Sequence, residues 1–260
     1  MSPKAPGRPG RLYLLPAPLR SYDDALWSAE TVASELPAEA LRLFASLDCF
    51  IVESERSASR LLSRFRGRDG MERLKFFLLN EHSVDADLAG LLEPLLSGED
   101  CGLLSEAGMP CIADPGAALV AAARERGIEV LPIPGPSSIF LALASSGLSG
   151  QSFAFLGYLP ADRAQRRSRL ARLAADFLRD GLTRIFIEAP YRNDSLLADC
   201  AAALPDTAWM AVAADLGGNG QRILSKPLAM WKAAPLPLIG KVPAVFLFGH
   251  KSPLRPRQGA

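Results

Sequence analysis

A chain of 260 residues, 49% of them hydrophobic, can bury a sizeable core and has the length at which one core gives way to two domains. Its formal net charge is +1 and its pI about 7.7, which excludes a whole-chain field for nucleic acid or an anionic membrane and leaves only local patches for such contacts. Four cysteines without a CxxC pair and only two histidines argue against a structural zinc or a histidine metal centre and favour a reducing compartment.

In chain order, residues 1–10 (MSPKAPGRPG) predict a flexible tail. The apolar run LYLLP that follows is too short for a signal sequence or a membrane span, so a cytoplasmic protein without membrane contact is expected. Short apolar runs then alternate with longer amphipathic segments. The predicted strands are residues 11–16, 48–53, 74–79, 101–105 and 128–133, with helices between them, including one around Asp85 to Leu96 and one over ALVAAARERG. Continuous apolar strands separated by helices predict a parallel sheet covered on both faces. Gly127 suits the C′ position that ends its helix.

The texture changes at PIPGPSS (residues 132–138), where prolines and a glycine fix a bend. A small-residue helix over 137–146 follows, then SFAFLGYLP and a basic helix. Strands are predicted at 183–188, 209–215, near Ile223 and at 242–249. The expected organisation is an N-terminal α/β domain over 11–134, a C-terminal α/β domain over 137–251, a cleft between them, and flexible tails at 1–10 and 252–260.

Two loops stand out at the carboxyl ends of predicted strands, where an open parallel sheet binds its ligands. In SEAGMPCIADPG (residues 105–116), Gly108 permits close backbone approach, Pro110 and Pro115 hold the loop, and Glu106 and Asp114 supply acceptors. Asp114 is expected to cap the next helix with Pro115 at its first position, direct catalysis being the alternative. In PIPGPSS, Ser137 either caps a helix or meets a ligand. The turn after the first strand reads LLPAPLRSYDD, without the glycines of a dinucleotide site, and the chain has no Walker A and no GxSxG sequence.

These two loops, with LYLLPAPL, LPIPGPSSIFLALASSGL, GYLP, IFIEAPYR and FLFGHK, resemble the motifs of the tetrapyrrole methylase superfamily of S-adenosylmethionine (SAM) methyltransferases. Within it they are most similar to the branch of ribosomal RNA small subunit methyltransferase I, over about Arg11 to Lys251. The resemblance implies a tetrapyrrole methylase-like fold of two α/β domains, a homodimer, SAM as methyl donor and no metal. Matched residue by residue, it assigns the donor to Pro16, Ser105, Glu106, Ala107, Gly108, Pro110, Gly135, Pro136, Ser137 and Ser138, and Ala213 is expected in a segment (213–216) that closes over the adenine. The turns APLRS, VESER and AVAADLGG depart from the family pattern at loops expected to face the acceptor.

Methyl transfer to a ribose 2′-hydroxyl needs a proton acceptor, and Glu53 and Glu188, which follow apolar strands, are the candidate catalytic carboxylates, with Glu55 close by. Solvated carboxylates or partners of Arg56 and Arg192 are the plainer reading of each. An RNA acceptor should leave a basic footprint. Residues 60–75 and 162–173 are two such segments, with Arg163, Arg166, Arg167, Arg169 and Arg172 in the second. Arg56, Arg163, Arg166, Arg167 and Arg192 are the expected substrate contacts. Aromatic residues are not interleaved there, which predicts recognition by backbone charge rather than stacking. The expected function is 2′-O-methylation of small-subunit ribosomal RNA. The alternatives are methylation of a tetrapyrrole or other small molecule, and a catalytically silent SAM-binding module.

Overall fold

The computed structural model describes residues 7–20, 28–80, 82–84 and 87–252. The tails at residues 1–6 and 253–260, Ser21 of the APLRS turn and Asp85 at the predicted helix start lie outside the described residues. The chain forms two compact units, Met1–Ser137 and Ser138–Ala260. Among the described residues no helix is long and apolar enough to cross a membrane.

The first unit holds strands β1 (Arg11–Leu15), β2 (Cys49–Val52), β3 (Lys75–Leu78), β4 (Cys101–Leu104) and β5 (Glu129–Pro132). Its helices are α1 (Ala29–Glu35), α2 (Ala38–Ser46), α3 (Glu55–Leu62), α4 (Arg68–Glu72), α5 (Leu88–Leu96) and α6 (Ala117–Glu125). The sheet order is β3-β2-β4-β1-β5 and every pairing is parallel. Alternation explains why the strands read as continuous apolar runs. Tyr13, Leu15, Phe50 and Val52 join Val32, Leu43, Phe44 and Leu61 on one face, whereas Leu12, Cys49, Ile51 and Leu103 join Leu91, Leu92, Leu119 and Ala123 on the other. Helix α6 ends as predicted at Gly127 (φ 71°): its N–H donates to Arg124 O and that of Ile128 to Ala123 O, both at 3.0 Å, a Schellman closure.

Strand order places the loops that matter. The chain leaves β1 toward β2, beyond β4, and leaves β4 toward β5, on the other side of β1. The β1 and β4 exits therefore diverge at neighbouring carboxyl ends, the topological position at which open sheets bind ligands.

The second unit holds α7 (Ser138–Ser146), β6 (Phe153–Tyr158), α8 (Arg163–Asp180), β7 (Thr183–Ile187), α9 (Asn193–Ala203), β8 (Trp209–Ala214), β9 (Arg222–Pro227), α10 (Leu228–Lys232) and β10 (Ala244–Gly249). Its sheet order is β6-β7-β10-β8-β9. Only β6 and β7 pair in parallel, the other pairings being antiparallel. One face packs Phe186, Met210, Val212, Phe246 and Phe248 against Leu170, Phe177, Leu196 and Trp231 of the helices, with Phe186 and Phe246 stacked at 5.9 Å. The unit is α/β like the first, with a mixed sheet.

Candidate functional site

The residues expected to hold the methyl donor in the first unit gather at the carboxyl edge of its sheet. Ala17 donates its N–H to Gly108 O at 2.8 Å and accepts from Gly108 N at 3.0 Å, which ties the turn after β1 to the loop after β4. Gly108 does this at φ 73°, a conformation that disfavours any side chain. The PIPGPSS bend closes onto the same place. A Cβ on Gly135 would lie 2.0 Å from Pro16 Cβ and 3.3 Å from Met109 Sδ, so only glycine lets these loops meet. Pro16, Gly108 and Pro110 are buried in this junction, and Glu106, Ala107 and Gly135 are exposed on it.

Three carboxylates from two loops converge beside it. Glu106 N donates to Glu53 Oε2 at 3.3 Å, and Glu106 Oε1 accepts from Ser57 Oγ at 2.5 Å. Ser57 is held because α3 starts at Ser54, whose side chain caps the Ser57 N–H. Asp114 is the third. Burial, aided by the charges of Glu53 and Glu106, raises its pKa from 3.8 to about 6 against an opposing hydrogen bond with Ser105. The same burial, with Asp114 adding to it, pushes the Cys111 thiol up to about 11.

Asp114 corrects the expectation of a helix cap. Helix α6 starts at Ala117 behind Gly116 (φ 132°), with no side-chain cap, and Pro115 lies outside it. A Cβ on Gly116 would strike Cys111 Sγ at 2.7 Å and Leu103 Cδ2 at 2.9 Å, so a glycine must carry this turn and Asp114 is released toward the other carboxylates. The loop also holds Cys111 (φ 68°) and Ala113 (φ 67°) in the left-handed region. Such strain costs on the order of 1–3 kcal/mol per residue and concentrates at functional sites.

The set suits a sulfonium donor. Carboxylates favour its positive centre and its ammonium group, Ser105 and the acidic side chains match hydroxyl groups, and glycines and prolines fix a close backbone approach. Local sequence does not mark Ser57 as a ligand-side group, and it marks Asp114 as an acceptor whose first expected role is a helix cap. Proximity of the loops is what joins both to Glu53 and Glu106.

The remaining expected site residues lie elsewhere. Ser137 ends the first unit and Ser138 opens α7. Ala213 is buried within β8, laddered to Val245 on one side and Ile223 on the other, so the strand encloses it instead of presenting it to a ligand. Arg56 is exposed on the first turn of α3.

Glu188 follows β7 and is buried. Its Oε1 accepts from Arg192 Nη2 at 2.5 Å, Arg192 Nε at 2.8 Å and Ala189 N at 2.8 Å, while its buried Oε2 has no hydrogen-bond partner among the described residues. Arg192, whose pKa this carboxylate raises, lies over the exposed Tyr191 ring at 5.3 Å.

Arg166 departs from its expected place among phosphate-facing arginines. It is buried, donating to Asp199 Oδ2 at 2.8 and 3.0 Å, to Ala161 O at 3.0 Å and to Ser195 Oγ at 3.1 Å. Its spacing with Leu170, Leu173 and Phe177 puts it on the packed face of α8. Arg163 shares Asp199 at 3.2 Å from the surface. Arg167 and Arg172 are exposed, Arg169 is half-buried, and these three form no ion pair among the described residues. Aromatic groups do reach this helix after all: Tyr158, at the end of β6, lines an open groove of about 650 Å³ with Arg169 and Arg172.

Residues 33–230 match the model of the Tetrapyrrole (Corrin/Porphyrin) Methylases. The chain is 34% identical to ribosomal RNA small subunit methyltransferase I of Vibrio cholerae serotype O1, covering 84% of this chain and 69% of that protein. It is also 34% identical to the protein of the same name from Xylella fastidiosa, covering 85% and 74%. The solved methyltransferase CobJ shares the fold at a TM-score of 0.59 and 16% identity, over 92% of this chain and 93% of that one. The chain belongs to the tetrapyrrole methylase family and is a SAM-dependent methyltransferase.

Proposed function

We propose that this enzyme transfers the SAM methyl group to a ribose 2′-hydroxyl of small-subunit ribosomal RNA. The observation that carries the acceptor is the 34% identity, over more than four fifths of the chain, to relatives named for that RNA. The arginine face of α8 supports it, because Arg167, Arg169 and Arg172 form no ion pair among the described residues and can meet phosphates.

SAM, when bound, supplies an electrophilic methyl group on a sulfonium. The residues of this chain bind, orient and manage a proton. Pro16, Ser105, Ala107, Gly108, Pro110, Gly135 and Pro136 form the donor's backbone cradle. Glu106, braced by Ser57, accepts from the donor's hydroxyl or ammonium groups. Glu53 takes the proton from the acceptor hydroxyl as its oxygen forms the new bond to the methyl carbon and the carbon–sulfur bond breaks. Glu188 anchors Arg192 in this reading and takes no proton.

The enzyme acts as a homodimer in the cytoplasm. The exposed apolar side chains Phe140, Leu141 and Phe153, and four cysteines that are all free thiols, agree with that assignment.

The test is transfer of labelled methyl from SAM into small subunits isolated from a strain lacking this gene and from its parent. Label entering the first and not the second supports the reading. Label entering neither, while a tetrapyrrole accepts it, replaces RNA with a small-molecule acceptor.

A further inference from the structure

The groove between β6 and α8 combines a strand side, a floor and a helix side. Its helix side is Ala164, Gln165, Ser168, Arg169 and Arg172, of which residues 165, 168, 169 and 172 follow the i, i+3, i+4, i+7 spacing of one face. Its strand side is Leu156 and Tyr158, two residues apart, and Leu159 and Pro160 complete an apolar floor. Strand β6 is an edge strand, so no further strand covers it within its sheet.

Charge selects the occupant. Asp199 pairs with Arg166 and Arg163, Glu188 with Arg192, and Asp176 with Arg179, whereas Arg169 and Arg172 form no ion pair among the described residues. Tyr158 is 60% exposed and Tyr191 70% exposed. Arg192 lies over the Tyr191 ring at 5.3 Å. An apolar floor, the exposed Tyr158 ring and two guanidinium groups without an ion pair among the described residues suit an unstacked base with its flanking phosphates, and suit a duplex poorly, since paired bases hide their faces.

We propose that this groove holds an unpaired nucleotide of the RNA acceptor, the base against Tyr158 and the flanking phosphates on Arg169 and Arg172. The inference rests on the RNA reading above and supplies its recognition element. It also revises the expectation of recognition by backbone charge alone.

The test uses the full-length chain and a fluorescent single-stranded oligouridylate, with a matched RNA duplex as competitor. The single strand should bind more tightly than the duplex. Tyr158→Ala should weaken it about fivefold or more, while Tyr158→Phe, which keeps the ring, stays near wild type. Replacing Arg169 and Arg172 together by Ala should reduce the slope of log affinity against log salt by roughly 1.4, about 0.7 for each phosphate of a single strand that is no longer neutralised. Arg124→Ala, on α6 of the other unit, should change nothing, and SAM calorimetry on each variant checks its folding. Wild-type affinity in the Tyr158→Ala and double-arginine variants, equal binding of duplex, or failure of the wild type to bind the single strand overturns the proposal. A wild type that binds the oligouridylate through these residues yet puts no label into small-subunit RNA sustains the groove and removes the ribosomal acceptor.

Discussion

Replacing Asp114 by Asn should stabilise the folded protein at neutral pH and weaken its hold on SAM. The carboxyl group is half-buried beside Glu53 and Glu106, and its pKa rises from 3.8 to about 6. The folded state therefore binds this proton more tightly than the unfolded state, so the site favours folding below about pH 4, loses that advantage between about 4 and 6, and costs stability above. A shift of about two units corresponds to about 3 kcal/mol for a fully shielded group. Solvent screening at a half-buried one reduces this to roughly 1–2 kcal/mol. Urea unfolding at pH 7.5 should show Asp114→Asn more stable by that amount, with the difference vanishing near pH 4. Equal stability at both pH values, or loss at pH 7.5, would refute the acidic-cluster argument. A cationic donor also favours the ionised carboxylate, so wild-type SAM affinity should fall as pH drops through about 6, and the Asn variant should lose that pH dependence.

Four other substitutions probe the same account. Gly135→Ala forces a Cβ against the rigid Pro16 ring and should cost about 1–3 kcal/mol of stability together with SAM affinity, checked by unfolding and calorimetry. Arg166→Met leaves Asp199 buried with only the exposed Arg163 as a partner, and should destabilise by about 3–5 kcal/mol, whereas Arg167→Ala stays within about 0.5 kcal/mol of wild type in the same melts. Glu106→Ala should weaken SAM binding by calorimetry, and unchanged affinity would remove Glu106 from the donor site.

The inner strands β1, β2 and β4 of the first sheet are legible because they are covered on both faces, which writes them as apolar runs, whereas the edge strands β3 and β5 are partly exposed. Four of the second sheet's five strands are readable, whereas SFAFLGYLP does not stand out as β6, and the mixed pairing is not legible because pairing direction leaves no mark on composition. Arg166 resembles its neighbours in an arginine-rich string. Its burial follows only from the helical spacing it shares with Leu170, Leu173 and Phe177. Asp114 resembles a cap because Asp-Pro commonly opens a helix, but the residue before the helix is Gly116 (φ 132°), and the helix begins at Ala117. The approach of Tyr158 to Arg169 and Arg172 depends on β6 packing beside α8, a tertiary event that local pattern does not record.

The most direct measurement is alkaline hydrolysis of small-subunit RNA labelled by this enzyme from SAM. A methyl on the 2′-oxygen blocks cleavage of the adjoining phosphodiester, so the account predicts label in alkali-resistant dinucleotides. Label released in mononucleotides would place the methyl on a base, and RNA without label would contradict the assigned acceptor.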